Sequence, residues 1–461
     1  MADIVCISPV DGREVARKTT ASAAEIERAV AAARKAQAAW AHVPVAERAK
    51  LCSAAVDAML AMRAEIAPEL SWQMGRPIKY AGGELGGFEE RARHMIAIAD
   101  EALAPLVPAA RDGFKRYVRR DPAGIVLTVA PWNYPYLTAV NSVIPALMAG
   151  NAVFLKAAAQ TILVGDRFQT AMDQAGLPKG LFLTLTLSHG DTTKLIASGQ
   201  IDQVCFTGSV AAGRAVEAAA AGTFTGIGLE LGGKDPAYVR ADVDLAHAIE
   251  NIVDGAYFNS GQCCCGIERV YVHEDVYDTF VDGFTALTKQ YVLGDPLDEK
   301  TTLGPMAQRR LAATVRDHIA EATGKGAKAL IDPKSFPKDA KDSTYLAPQV
   351  LVNVDHSMKV MMEETFGPVA GIMKVKNDDE AIALMNDSPY GLTASLWTRD
   401  RDAAERIGMQ IETGTVFMNR CDYLDPGLAW TGVKDTGRGA TLSKLGYEAL
   451  TRPKSFHLRT I

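Results

Sequence analysis

No run of about 18 or more apolar residues occurs in this chain, so no segment reads as a membrane-spanning helix. Positive charge is not in excess either. Lys and Arg number 49 against 55 Asp and Glu, a net charge of -6, which argues against the basic footprint of a nucleic-acid partner. Residues 1–10 contain Asp3 and Pro9 and lack a basic stretch followed by an apolar one, so no secretory signal is expected. A disulfide framework is missing too. The seven cysteines are an odd number in 461 residues, and three are adjacent, a usage that fits a reducing cytoplasm. There is no internal repeat and no low-complexity tract. The G-x-G-x-x-G dinucleotide fingerprint is absent, and the nearest pattern is Gly208-x-x-x-x-Gly213.

What is present is ordinary globular composition, 48% hydrophobic and 23% charged, in a chain too long for one hydrophobic core. Ser22 and Glu25 form a capping box ahead of a helical segment. Helical spacing continues over about 46–72 and 84–103, and this opening region reads as scaffold. Residues 114–120 alternate strictly, as an edge strand or an oligomer contact would. The aliphatic runs 125–130 and 152–155 are of the kind buried in parallel sheets. Helices over 137–148, 161–175 and 210–221 alternate with strands at 181–187 and 203–206. Strand, glycine turn, helix, repeated, predicts a doubly wound α/β sheet whose ligands bind beyond the carboxyl ends of the strands. Beyond the cysteines, helices are expected at 276–291, 308–323, 378–386 and 403–410, with strands at 393–398 and 415–419 and a long loop at 420–438.

Two stretches carry chemistry. Cys263, Cys264 and Cys265 lie between Gly261 and Gly266, ahead of a β-type run. A thiolate nucleophile, a metal ligand and a small buried residue are the three readings, and consecutive residues suit a metal poorly. Glu230 is flanked by Leu229 and Leu231 with glycine pairs beyond. It reads either as a general base with its pKa raised by burial or as a strand-edge carboxylate paired to Lys234.

Five segments, in order, resemble motifs of the aldehyde dehydrogenase superfamily. They are Pro131-Trp132-Asn133-Tyr134-Pro135, Phe206-Thr207-Gly208-Ser209, Glu230-Leu231-Gly232-Gly233-Lys234, Gly261-Gln262-Cys263-Cys264-Cys265 with Arg269, and Glu363-Glu364-Thr365-Phe366-Gly367-Pro368. The resemblance implies Cys264 as nucleophile, Asn133 with the Cys264 N–H as oxyanion hole, and Glu230 as general base. It implies NAD or NADP as cofactor, held by Trp132, Lys156, Ala159, Gly208, Ser209, Leu231, Glu364 and Phe366, and no metal. It further implies a cofactor-binding domain (1–104 and 123–231), a catalytic domain (232–435) and a small β oligomerisation arm (105–122 and 447–461) in a homodimer or homotetramer. The substrate would be a small aldehyde oxidised to its acid, with a semialdehyde such as succinate semialdehyde in view.

The chain departs from the family pattern in places. Many members carry an acidic residue where Ala159 stands, so NADP is expected to be accepted, alongside or ahead of NAD. Tyr423 to Pro426 and Trp430 to Gly432 stand where many members carry Pro-Phe-Gly-Gly, so the substrate does not carry over. Arg420 is a candidate partner for a substrate carboxylate, against a plain solvated arginine. A CoA-acylating enzyme is an alternative, but its relatives generally lack the glutamate at Glu230. A non-catalytic protein on the same scaffold has no reason to keep Cys264, Glu230 and Asn133.

Overall fold

The computed structural model describes residues 2–460. Two sheets, each almost wholly parallel, organise the chain. The first has six strands in the order Gly437–Arg438, Gly226–Glu230, Gln203–Thr207, Ile125–Val129, Ala152–Lys156 and Phe182–Thr184. All pair in parallel except Gly437–Arg438, which runs antiparallel along Gly226–Glu230. Strands Ile125–Val129 and Ala152–Lys156 are buried at every position, as their unbroken aliphatic character requires of a sheet covered on both faces. Helix Pro135–Met148 packs between this sheet and helix Glu84–Ala97.

The second sheet has seven strands in the order Lys328–Ala329, Gln349–Val352, Val369–Val375, Ile267–His273, Asp235–Val239, Thr393–Trp397 and Thr415–Met418. Only the short edge strand Lys328–Ala329 is antiparallel. Because parallel strands end together, the carboxyl ends of the first sheet bring Val129, Lys156, Thr207 and Glu230 to one side. The chain leaves Glu230 and enters the second sheet at Asp235, so the two sheets meet around residues 230–235.

A third element is the antiparallel ribbon Phe114–Pro122 with Thr451–Arg459, where the Tyr117 and Phe456 rings stack at 4.5 Å. The Ser22 capping box is present as expected from the sequence.

Other expectations need correction. Residues 3–19 form a hairpin, Asp3–Ile7 with Glu14–Thr19, instead of a plain lead into helical scaffold. The segment 46–72 is two helices, Val45–Ala61 and Arg63–Met74, and 84–103 breaks at Ile98. The strand expected at 181–187 shrinks to Phe182–Thr184, and the helix expected from 161 starts at Leu163 after a short 3-10 turn, Ala159–Thr161. The loop at 420–438 contains short paired strands, among them Trp430–Thr431 with Ala440–Thr441. Among the described residues no helix is long and apolar enough to cross a membrane.

Candidate active site

Helix Leu245–Tyr257 ends in a turn where Asn259, Ser260 and Gly261 all adopt positive φ, at 53°, 58° and 69°. At Gly261 a side chain is excluded twice over, since a Cβ there would stand 2.3 Å from the Gly367 carbonyl oxygen. This left-handed turn sets Cys263, Cys264 and Cys265 at the mouth of strand Ile267–His273. The Asn133 side-chain amide donates to the Gln262 carbonyl at 3.2 Å, so Asn133 stands against the cysteine loop. Arg76, buried and ion-paired with Glu84, donates to the Asn259 side chain at 3.1 Å and fixes the turn.

The three thiols form one coupled cluster, with the Cys263 and Cys265 sulfurs 3.4 Å apart. Hydrogen bonds donated by Cys264 and Cys265 hold the Cys263 thiol below its ordinary range. The hydrogen bond to Cys263 holds Cys264 well above it, and Cys265 rises for the same reason.

Glu230 lines the same cavity as the three cysteines. Thr441 donates to one of its carboxylate oxygens at 2.6 Å and Thr207 to the other at 3.3 Å. Burial raises its pKa, opposed by the Thr441 hydrogen bond and the Arg91 charge. Glu230 is not paired to Lys234, which instead forms a buried ion pair with Glu268. That corrects one of the two sequence readings, and the raised carboxylate remains.

The cavity measures about 290 Å³. Sequence reasoning missed two of its lining groups, Arg91 and Asp422. Asp422 has φ of 50°, and burial, followed by the nearby Cys263, pushes its carboxyl up to about 7. Neither residue sits in a motif, so only the tertiary fold reveals them. Arg420 is exposed and lies over the Tyr423 ring at 3.6 Å, outside the cavity lining.

At the strand ends of the first sheet the residues suit a dinucleotide. Lys156 is 8% exposed, and among the described residues its ammonium has no hydrogen-bond acceptor or ion-pair partner, so burial lowers its pKa. An orphaned buried cation of this kind fits ribose hydroxyls or phosphate. Ser209 caps helix Val210–Ala220, whose free N–H groups and dipole favour a phosphate. At Gly208 a Cβ would meet the Phe206 ring at 2.7 Å, so the turn stays bare. Leu231 is buried against Gly213 of that helix. Glu364 accepts from the Gly233 N–H at 3.1 Å, and burial pushes it up to about 8. The Trp132 and Phe366 rings meet edge to face at 5.6 Å. Ala159 is exposed at the start of its 3-10 turn. Among the described residues no group of His, Cys, Asp and Glu could hold a metal ion.

Comparison with known proteins accords with this geometry. The aldehyde dehydrogenase family model matches residues 2–456. An aldehyde dehydrogenase of Paenarthrobacter nicotinovorans is 36% identical over 459 residues, covering 98% of this chain and 99% of that protein. The succinate-semialdehyde dehydrogenase [NADP(+)] of Mycobacterium avium (strain 104) is 33% identical over 455 residues, covering 98% and 96%. The solved structure of an NAD-dependent aldehyde dehydrogenase from Sinorhizobium meliloti superposes with a TM-score of 0.95 at 32% identity, covering 100% of this chain and 92% of that one. Matched over nearly its whole length in sequence and in fold, the chain belongs to the aldehyde dehydrogenase family.

Proposed function

We propose that the protein oxidises an aldehyde to its carboxylic acid with NAD or NADP, through a thiohemiacetal and then a thioester on Cys264. The observation that carries this reading is one cavity shared by the cysteine loop and Glu230, with Asn133 bonded to the loop itself. A thiolate on Cys264 attacks the aldehyde carbon, and charge develops on the carbonyl oxygen. The Asn133 amide, now donating to the Gln262 carbonyl, and the Cys264 N–H are the donors that meet this oxyanion. Glu364 and Phe366 would hold the nicotinamide end of the cofactor, which when bound would supply the acceptor for the hydride lost from the aldehyde carbon. Glu230 then draws a proton from water, whose oxygen attacks the thioester carbonyl and releases the acid and the Cys264 thiolate. Glu230 also weighs against CoA as acyl acceptor, since water, far less acidic than a thiol, depends more on a base to take its proton.

Lys156 and the capped helix at Ser209 hold the nucleotide in this reading, with Trp132, Gly208 and Leu231 shaping its bed. Residues 1–104 and 123–231 make the cofactor domain, 232–435 the catalytic domain, and the paired ribbon within 105–122 and 447–461 the arm of a homo-oligomer. The seven free cysteines suit a reducing compartment. A panel of aldehydes with each nucleotide, followed by the near-ultraviolet absorbance of the reduced nicotinamide, tests the proposal. No reduction with any aldehyde overturns it, and reduction that requires CoA supports the acylating alternative.

A further inference from the structure

Arg91, on helix Glu84–Ala97, is 5% exposed and opens on the cavity of the thiols and Glu230. Its Nη1 donates to the Leu137 carbonyl at 2.7 Å and to the Asn141 side-chain oxygen at 3.3 Å. Among the described residues no carboxylate pairs with it, and its Nε and Nη2 donate to no protein acceptor. The other arginine of the cavity, Arg76, is neutralised by Glu84. A guanidinium hydrogen-bonded only to two neutral oxygens on one nitrogen leaves its other donors unused, and the thiols, Glu230 and Glu90 act on its charge without bonding to it.

A second donor is idle beside it. The Asn141 side-chain nitrogen is buried without a hydrogen-bond partner, and Asn141 lines the same cavity and is bonded to Arg91 through its oxygen. The acids that line the cavity do not take up these donors. Glu84 is held by Arg76 and by the Tyr136 and Leu137 N–H groups, and Glu230 by Thr441 and Thr207. Asp422 makes no ion pair, and burial keeps its carboxyl largely protonated below about pH 7. The guanidinium keeps its charge across this range.

We propose that Arg91, with the Asn141 amide beside it, determines specificity for a short aldehyde that carries a carboxylate at its far end. The proposal rests on the oxidation reading above and adds the residue that selects the substrate. Two free guanidinium N–H directions match the two oxygens of a carboxylate, and Arg91 shares one cavity with the cysteines, so a short chain reaches both. Arg420 is exposed, stacks on Tyr423 and does not line that cavity.

The test compares succinate semialdehyde with butyraldehyde, alike in length and differing in charge, on wild type, Arg91→Lys and Arg91→Gln. Wild type is expected to favour the carboxylated aldehyde. Arg91→Gln should raise the KM for succinate semialdehyde roughly 10- to 100-fold relative to the KM for butyraldehyde, with Arg91→Lys between, while the lost charge, which lowers the Glu230 pKa, shifts the kcat of both aldehydes together. An equal rise in the two KM values would show that Arg91 merely clamps Leu137, and the proposal would fall. Should Arg91→Gln not fold, as melting would reveal, wild type carries the test alone. Butyrate should shield the active-site thiols from iodoacetamide at lower concentration than butyramide does, and equal shielding overturns the proposal. Shielding needs no turnover. Selective shielding in a protein that oxidises no aldehyde of the panel with either nucleotide therefore supports the subsite and refutes the oxidation reading, whereas oxidation of both aldehydes alike with unselective shielding does the reverse.

Discussion

Lys234 and Glu268 form an ion pair in the interior, with side chains 0% and 5% exposed. Lys234 follows the Glu230 segment into the second sheet, and Glu268 opens the strand behind the cysteines. One oxygen of Glu268 also accepts from the Thr365 N–H at 2.8 Å and the other from the Phe366 N–H at 2.9 Å. Lys234 reaches the Thr365 hydroxyl at 3.0 Å. The pair therefore ties three pieces of the site, the base segment, the cysteine strand and the Glu364 loop, into one body.

Removing the cation from that pair leaves Glu268 buried without a counter-charge. Lys234→Met should destabilise the protein by about 3–5 kcal/mol, because breaking a buried pair strands the remaining charge. Denaturant melting of the two proteins measures it. A loss within the range of an ordinary surface substitution would mean that the Thr365 and Phe366 N–H groups alone keep Glu268 satisfied.

Cys264→Ala should abolish aldehyde oxidation while leaving the fold and nucleotide binding intact. Cys263→Ala and Cys265→Ala should retain most activity, since the proposed thioester forms on Cys264 alone. Hydrogen bonding within the cluster holds the Cys263 thiol below its ordinary range. A dead Cys263→Ala with an active Cys264→Ala would therefore transfer the nucleophile to Cys263.

Much of this site was legible in the sequence because its signals are local. Apolar runs at 125–130 and 152–155 became buried strands, and Asp378–Asn386 is a helix over the residues that its spacing marks. The motif segments carry Asn133, Glu230 and Cys264 in fixed local frames, and the parallel register then brings those frames together. The hairpin at 3–19 was not legible, because its strands are mostly half-exposed or exposed and offer no apolar face to read. Nor was the partner of Lys234, since Glu268 lies 34 residues away and competes with a nearer glutamate. Arg91 looks like any helical arginine until helix Pro135–Met148 packs against it and closes the cavity.

Glu230→Gln should still release a burst of reduced nucleotide and then turn over about 10²–10⁴-fold more slowly, because hydrolysis of the thioester loses its base. In wild type the steady-state rate should rise with pH. Burial raises the Glu230 pKa, so the carboxyl stays protonated and inactive as a base to a higher pH than an exposed glutamate would, and gains basicity as pH rises through that value. The mutant should lose this limb. A burst followed by full-speed turnover, or an unchanged pH limb, would remove Glu230 from the role.

Cofactor choice turns on what faces the adenosine ribose. A carboxylate there accepts hydrogen bonds from the ribose hydroxyls and repels the 2′-phosphate of NADP. Ala159 offers none, and among the described residues the nearby Lys156 ammonium has no partner to neutralise it. Positive charge without an opposing carboxylate admits the phosphate, so NADP should be accepted. Ala159→Glu should shift the ratio of kcat/KM toward NAD by roughly ten- to a hundredfold, the worth of one charged contact. Measuring kcat/KM for both nucleotides in the two proteins decides it. A wild type that rejects NADP, with a mutant that behaves the same, would place the selectivity in another part of the nucleotide pocket.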